Sequence, residues 1–313
     1  MKRLIAFAFT LFLATTAGAA PPLLAPAELQ PLLGRPDVRV IDIRDPKSYA
    51  AGHIPGAVSA PYGTWRGPAT NPGELPPLPK LAARVQSLGL TPQTHAIVVS
   101  SGQDATDFGA SARVYWTLKT LGLAELSIVN GGMGAWAAAK LPLDTAAASV
   151  APSTFQPTLN ASMLATREEV VAAVATGKAQ LVDARPAAFY RGETRHQAAT
   201  LPGTLKGAVN VEHSSWFKPD SSTFVTAEEA KAIAASRPAG EAPETISFCN
   251  TGHWAATNWF ALSEVAGRKN VKLYAGSMVD WTQDGQALPM DNVPNRAEQL
   301  AVDFRLWIDR TFN

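Results

Sequence analysis

Leu181-Val182-Asp183-Ala184-Arg185 repeats Val40-Ile41-Asp42-Ile43-Arg44, and a tyrosine (Tyr190, Tyr49) follows five residues after each arginine. Further along, Gly207-Ala208-Val209 with Trp216 repeats Gly56-Ala57-Val58 with Trp65. Gly276-Ser277-Met278 with Trp281 then repeats Gly131-Gly132-Met133 with Trp136. The landmarks keep their order at a spacing of roughly 145 residues, which marks a duplicated domain. That spacing widens by about ten residues between Tyr190 and Gly207, so the second copy carries an extra loop rich in charge and turn formers.

Each copy has the rhythm of an α/β domain. Short β-branched runs (Val38 to Ile43, Ala96 to Ser100, Leu126 to Asn130) alternate with helical stretches such as Ala110 to Leu121. The second copy offers strands at Gln180 to Asp183, Thr245 to Phe248 and Val271 to Tyr274. Its helices are expected at Arg167 to Ala175, Ala227 to Ala235 and Ala255 to Val265. Such alternation predicts an α/β fold of two domains, each a parallel β-sheet flanked by helices on both faces. The expected divisions are a first domain over 24–147, a linker over 148–160 without periodicity, a second domain over 161–290, and a helical tail over 291–313. In the tail, Leu300, Phe304 and Trp307 recur at helical spacing, which predicts a terminal helix packed on the body.

The chain has 313 residues, 46% hydrophobic and 17% charged, as an ordinary globular protein has. A formal net charge of +1, with no Lys/Arg stripe interleaved with aromatics, gives no reason to expect nucleic acid as a partner. Residues 1–19 read as a secretory leader: Lys2 and Arg3, an apolar run from Leu4 to Ala14, then Ala17-Gly18-Ala19 as a small-residue cleavage site. The run is shorter than the roughly 20 residues of a membrane span. The expectation is therefore a periplasmic protein with no membrane attachment after cleavage.

The one cysteine, Cys249, excludes an internal disulfide and sits at an informative place. In open parallel sheets ligands bind at the carboxyl ends of strands, where the chain turns into a helix. Cys249 ends the strand Thr245-Ile246-Ser247-Phe248 and opens the turn Asn250-Thr251-Gly252-His253-Trp254 before a helix. Helix amides and an inward-curling loop lower a thiol pKa from about 8.5 to roughly 3.5–7.5. The same amides suit a persulfide anion. An inert core cysteine is the alternative, but a core strand needs no Asn, Thr, Gly and His after it.

Tyr49-Ala50-Ala51-Gly52-His53-Ile54-Pro55-Gly56-Ala57 resembles the aromatic-x-x-x-His-aliphatic-Pro-Gly-Ala signature of the tandem rhodanese family. Tyr274-Ala275-Gly276-Ser277-Met278-Val279-Asp280-Trp281 is similar to its C-terminal signature, with Met278 where an aromatic is usual and Asp280 where Glu is usual. The resemblance spans residues 24 to 290. It implies two rhodanese-like domains, the first catalytically inactive because its matching strand ends in Ser100-Ser101, the second carrying sulfur as a Cys249 persulfide. It further implies that Arg185 binds the anionic end of a sulfur donor, a salt bridge to Asp183 being the structural alternative. Asn250, Thr251, Gly252, His253 and Trp254 become the donor-binding loop, with His253 a proton donor or an anion contact. Thiosulfate is the favoured donor and 3-mercaptopyruvate the alternative; the loop departs from both patterns, with Asn250 and Thr251 where thiosulfate-preferring relatives carry basic residues and Thr251-Gly252 a partial match to the mercaptopyruvate pattern. The acceptor is a thiol, a protein thiol or cyanide, and no metal or organic cofactor is expected.

A phosphatase of this fold needs an arginine six residues after the cysteine, where Ala255 stands. A dithiol oxidoreductase needs a second cysteine. The readings left are a sulfurtransferase, a non-enzymatic persulfide carrier and a purely structural duplicate.

Overall fold

The computed structural model describes residues 20–236, 243–283, 285 and 287–312; the expected leader lies outside the described residues. Eleven strands occur among the described residues, in chain order β1 (Leu23–Leu24), β2 (Val38–Asp42), β3 (Val58–Ser59), β4 (His95–Val99), β5 (Leu126–Val129), β6 (Ala179–Asp183), β7 (Thr204–Leu205), β8 (Val209–Asn210), β9 (Glu244–Phe248), β10 (Val271–Leu273) and β11 (Met290–Asp291). They form a sheet in the order β1-β5-β4-β2-β3 and a second in the order β10-β9-β6-β8. Every pairing within these two sheets is parallel, and only the small β7–β11 ribbon is antiparallel. The order β5-β4-β2-β3 and its counterpart β10-β9-β6-β8 confirm the repeat. Strands buried on both faces read as unbroken apolar runs, and Ala96-Ile97-Val98-Val99 of β4 is buried throughout.

The helix expected to begin at Ala110 starts earlier and spans Ala105–Thr120, because the Asp104 carboxylate accepts the Asp107 amide and caps it. Helix Arg167–Thr176 carries a full capping box from Thr166 and Glu169. After β9, helix Trp254–Trp259 widens into a π-helical stretch, Phe260–Val265. Residues between Asp144 and Asn160 form no regular element but run along the first domain, with the Ser153 amide bonded to Gln86 O at 2.9 Å.

The two halves share one core. Phe108 of the Ala105–Thr120 helix packs against Phe217, Phe224 and Phe260 at centroid distances of 5.2, 5.1 and 5.6 Å, and Tyr115 meets Phe260 at 5.1 Å. Aromatic packing of this kind makes the seam between the domains as rigid as a core. At that seam the Ala105–Thr120 helix approaches closely at Gly109, where an added Cβ would lie 2.8 Å from His253 Nε2.

The tail differs from expectation. Helix Arg296–Phe312 exists, but Leu300, Phe304 and Trp307 are 55%, 59% and 48% exposed. It is Val302 on the other side that is buried, and the helix is held by Arg195–Asp303 and by Arg305 donating to Glu193 O. Helical spacing identified an apolar stripe but could not say which side faces the body.

Candidate active site

Cys249 follows β9 and is 1% exposed, yet it borders a cavity of about 250 Å³. The lining combines Asn250, Thr251, His253 and Trp254 of its own turn with His196, and with Arg66 and Thr106 from the first half. The cavity is smaller than the roughly 300–1,000 Å³ of sites for drug-sized ligands. It fits a donor of a few heavy atoms.

The turn is held from outside, which leaves its inner face open. Ser277 Oγ accepts the amides of Cys249 and Gly252 at 3.0 and 3.1 Å and donates to Tyr274 O at 2.8 Å. The Met278 and Val279 amides donate to Cys249 O and Asn250 O at 3.1 and 3.0 Å. Arg66 Nη2 donates to Thr251 O at 2.8 Å, and Arg113 Nη1 to Gly252 O at 3.2 Å. With these carbonyls turned outward, the amides of Asn250, Thr251 and His253 have no protein acceptor among the described residues. Three N–H groups without acceptors in the turn that opens at Cys249 are the raw material of an anion nest. Gly252 has φ +66°, and a Cβ there would lie 2.4 Å from Ala275 O, so glycine is required.

The first half repeats this frame without its chemistry. Met133 and Gly134 amides donate to Ser100 O and Ser101 O, both at 2.9 Å, so Ser100 stands where Cys249 stands. Gly132, at φ +57°, takes the place of Ser277, at φ +56°.

Arg185 does not line the cavity. Its guanidinium grips Asp183 (Nη2–Oδ2 2.6 Å, Nε–Oδ1 2.9 Å) and donates to Gly203 O at 2.7 Å, and its Nη1 reaches Asn250 Oδ1 at 3.4 Å. Arg44 makes the same bonds in the first half, to Asp42 at 2.6 and 3.0 Å and to Gly52 O at 2.7 Å. A network present in both copies is a property of the fold, so the expected donor contact is corrected to a strut that steadies Asn250. The HIPGA signature is structural too: His53 is buried, stacked on Tyr49 at 3.8 Å, and bonded through Nδ1 to Tyr49 O.

His253 is also corrected. Its Nε2 lies 2.7 Å from Thr106 O, a pure acceptor, so Nε2 carries the proton and Nδ1 accepts from Tyr62 OH at 2.8 Å. Burial, reinforced by the Arg66 charge, pushes its pKa down to about 3. A neutral imidazole with both nitrogens engaged by the first half is a latch across the seam, not a proton donor. Trp254 lines the cavity and stacks on His213 at 4.9 Å, whereas Trp216 is wholly buried and bonded to Asn258 Oδ1.

Sequence reading missed Arg66, Arg113, Thr106, Tyr62, His196 and Ser277. Arg113 is fully buried, donates through Nη2 to Gly73 O at 2.8 Å, and lies 5.1 Å from the Trp116 ring. Burial, with Arg66 adding, pulls its pKa down to about 9, while Tyr62 and Cys249 oppose the fall. A lone arginine in the apolar run Ala110-Ser111-Ala112-Arg113-Val114-Tyr115-Trp116 was the one available signal. Among the described residues no cluster of His, Cys, Asp or Glu could hold a metal ion, and no helix is long and apolar enough to cross a membrane.

A sole thiol at the carboxyl end of a central parallel strand borders a small cavity, in a turn whose amides lack acceptors among the described residues. The chain belongs to the rhodanese-like domain family, whose model matches twice, over residues 25–139 and 166–284. It is similar to a thiosulfate sulfurtransferase of Pseudomonas aeruginosa, 30% identical over 83% of this chain and 94% of that one. It is also similar to a probable 3-mercaptopyruvate sulfurtransferase of the same organism, 31% identical over 84% and 95%. A sulfur carrier protein, TtuD of Thermus thermophilus, is 29% identical over 81% and 90%. Among solved structures it resembles SseA of Escherichia coli, titled a 3-mercaptopyruvate sulfotransferase, with a TM-score of 0.71 and 28% identity over 82% of this chain and 99% of that one.

Proposed function

We propose that this sulfurtransferase moves sulfane sulfur from a small anionic donor, thiosulfate first and 3-mercaptopyruvate second, to a thiophilic acceptor through a Cys249 persulfide. The observation that carries this is the Cys249 turn, with its free amides and its opening onto a small cavity. The thiolate attacks the outer sulfur of thiosulfate; the S–S bond breaks, and sulfite leaves with the electron pair. With 3-mercaptopyruvate the C–S bond breaks instead, and the pyruvate enolate takes up the thiol proton. A thiolate or cyanide then attacks the outer persulfide sulfur and restores the Cys249 thiolate. Export after cleavage near Ala19 is part of the proposal, and the leader composition supports it.

Intact mass after incubation with either donor tests the reading. The expected gain is one sulfur atom, removed by cyanide and absent in Cys249→Ser; no gain with either donor overturns it. Likeness to a protein named a sulfur carrier favours one second reading, a carrier loaded and unloaded by other proteins. Rapid turnover of thiosulfate and cyanide supports the enzyme, whereas stable loading with slow cyanolysis supports the carrier.

A further inference from the structure

We infer that the anionic end of the donor is bound across the domain seam, by Arg66 from the first half and His196 from the loop inserted in the second. The inference rests on the sulfurtransferase reading and names the residues that recognise its substrate.

Arg66 lines the Cys249 cavity, and only one of its two terminal nitrogens is engaged: Nη2 with Thr251 O. Nη1 is shielded from solvent and has no acceptor, and no carboxylate pairs with Arg66 among the described residues. A guanidinium seldom gives up both water and counter-ion without another anion to meet. His196 lines the same cavity. Its Nδ1 accepts the Ala198 amide at 3.2 Å, which places the proton of the neutral ring on Nε2, and Nε2 has no acceptor among the described residues. Burial foremost, then the Arg66 charge, lowers the His196 pKa and favours the neutral ring. Both side chains thus line the Cys249 cavity, Arg66 lying 5.3 Å from the Tyr62 ring, and each carries an N–H with no acceptor among the described residues.

The repeat explains why two domains are needed. Phe217 follows Trp216 in the second half where Arg66 follows Trp65 in the first, and the first half lacks the loop that carries His196. Each half supplies the donor the other lacks. The shared chemistry recognised is an oxyanion a few bonds from the reactive sulfur, as in the sulfonate of thiosulfate or the carboxylate of 3-mercaptopyruvate.

Alkylating agents matched in size but not in charge separate anion binding from thiol activation. Iodoacetate and iodoacetamide react alike with a thiolate and differ by one negative charge. In Arg66→Gln, the KM for thiosulfate should rise about tenfold or more, and the iodoacetate rate should fall about tenfold. Its iodoacetamide rate, which carries whatever the loss of the Thr251 O contact does to the turn, should fall clearly less than its iodoacetate rate. His196→Ala, which removes no contact to the Cys249 turn, should raise KM about threefold or more with kcat retained. An unchanged KM in both variants, or an equal loss with both alkylating agents, overturns the inference. If the unmodified protein gains no sulfur while the iodoacetate rate still depends on Arg66, the anion site stands and the sulfurtransferase reading falls.

Discussion

Ser277 Oγ accepts a hydrogen bond from the Cys249 amide at 3.0 Å, although the two residues lie 28 apart in sequence. The same oxygen accepts the Gly252 amide, so one hydroxyl fixes both ends of the turn that encloses the thiol. Its backbone sits at φ +56°, a conformation Gly132 adopts in the first half with no hydroxyl to offer.

Ser277→Gly removes that hydroxyl together with the backbone strain that serine bears at positive φ. The fold should persist with a loss of about 2 kcal/mol from two buried amides left without an acceptor. Loading of Cys249 from thiosulfate should slow roughly tenfold. Ser277→Ala should lose more stability, because alanine keeps the strain of about 1 kcal/mol or more that serine already bears at positive φ and glycine relieves. Urea denaturation and single-turnover persulfide formation check both.

Arg185→Ala and Arg44→Ala test whether the Asp-x-Arg network is structural. Each leaves a buried aspartate without its cation, Asp183 or Asp42, both 0% exposed. The expected cost is about 3–5 kcal/mol in either half. A large rise in donor KM for Arg185→Ala, with stability retained, would restore Arg185 as a substrate contact.

Acid should destabilise the protein through its neutral histidines. His253 has a folded pKa of about 3 against roughly 6.5 when unfolded, so the unfolded state binds more protons between those values. Stability is then complete above about pH 6.5 and declines as pH falls toward 3, by up to about 1.4 kcal/mol per pH unit. His196 and His213, also lowered mainly by burial, act in the same direction. Denaturant melts from pH 7 to pH 4 should show this slope, and His253→Gln should flatten it.

Gly109→Ala sets helix propensity against packing. In an isolated helix the change stabilises by about 1 kcal/mol. Here the new Cβ would meet His253 Nε2 at 2.8 Å and His253 O at 3.1 Å. A net loss of about 1–3 kcal/mol is expected, with His253 displaced from Thr106 O. Equal or greater stability by denaturation would show that the seam yields.

The duplication, the parallel α/β architecture and the position of Cys249 at the end of a strand were all legible in the chain. Each is written locally, in short apolar runs, in repeated landmarks and in a polar turn after an apolar strand. What surrounds the sulfur was decided by the tertiary structure. Arg66, Arg113, Tyr62 and Thr106 lie more than a hundred residues from Cys249 and reach its turn or its cavity because an aromatic core clamps one half against the other. The tempting local choices are engaged by other partners: Arg185 by Asp183, the alternative its own sequence offered, and by Gly203 O, and His253 by Tyr62 and Thr106 O, which no spacing rule reveals. A side chain's chemistry depends on which hydrogen bonds and charges remain unsatisfied after folding, and long-range packing sets that remainder.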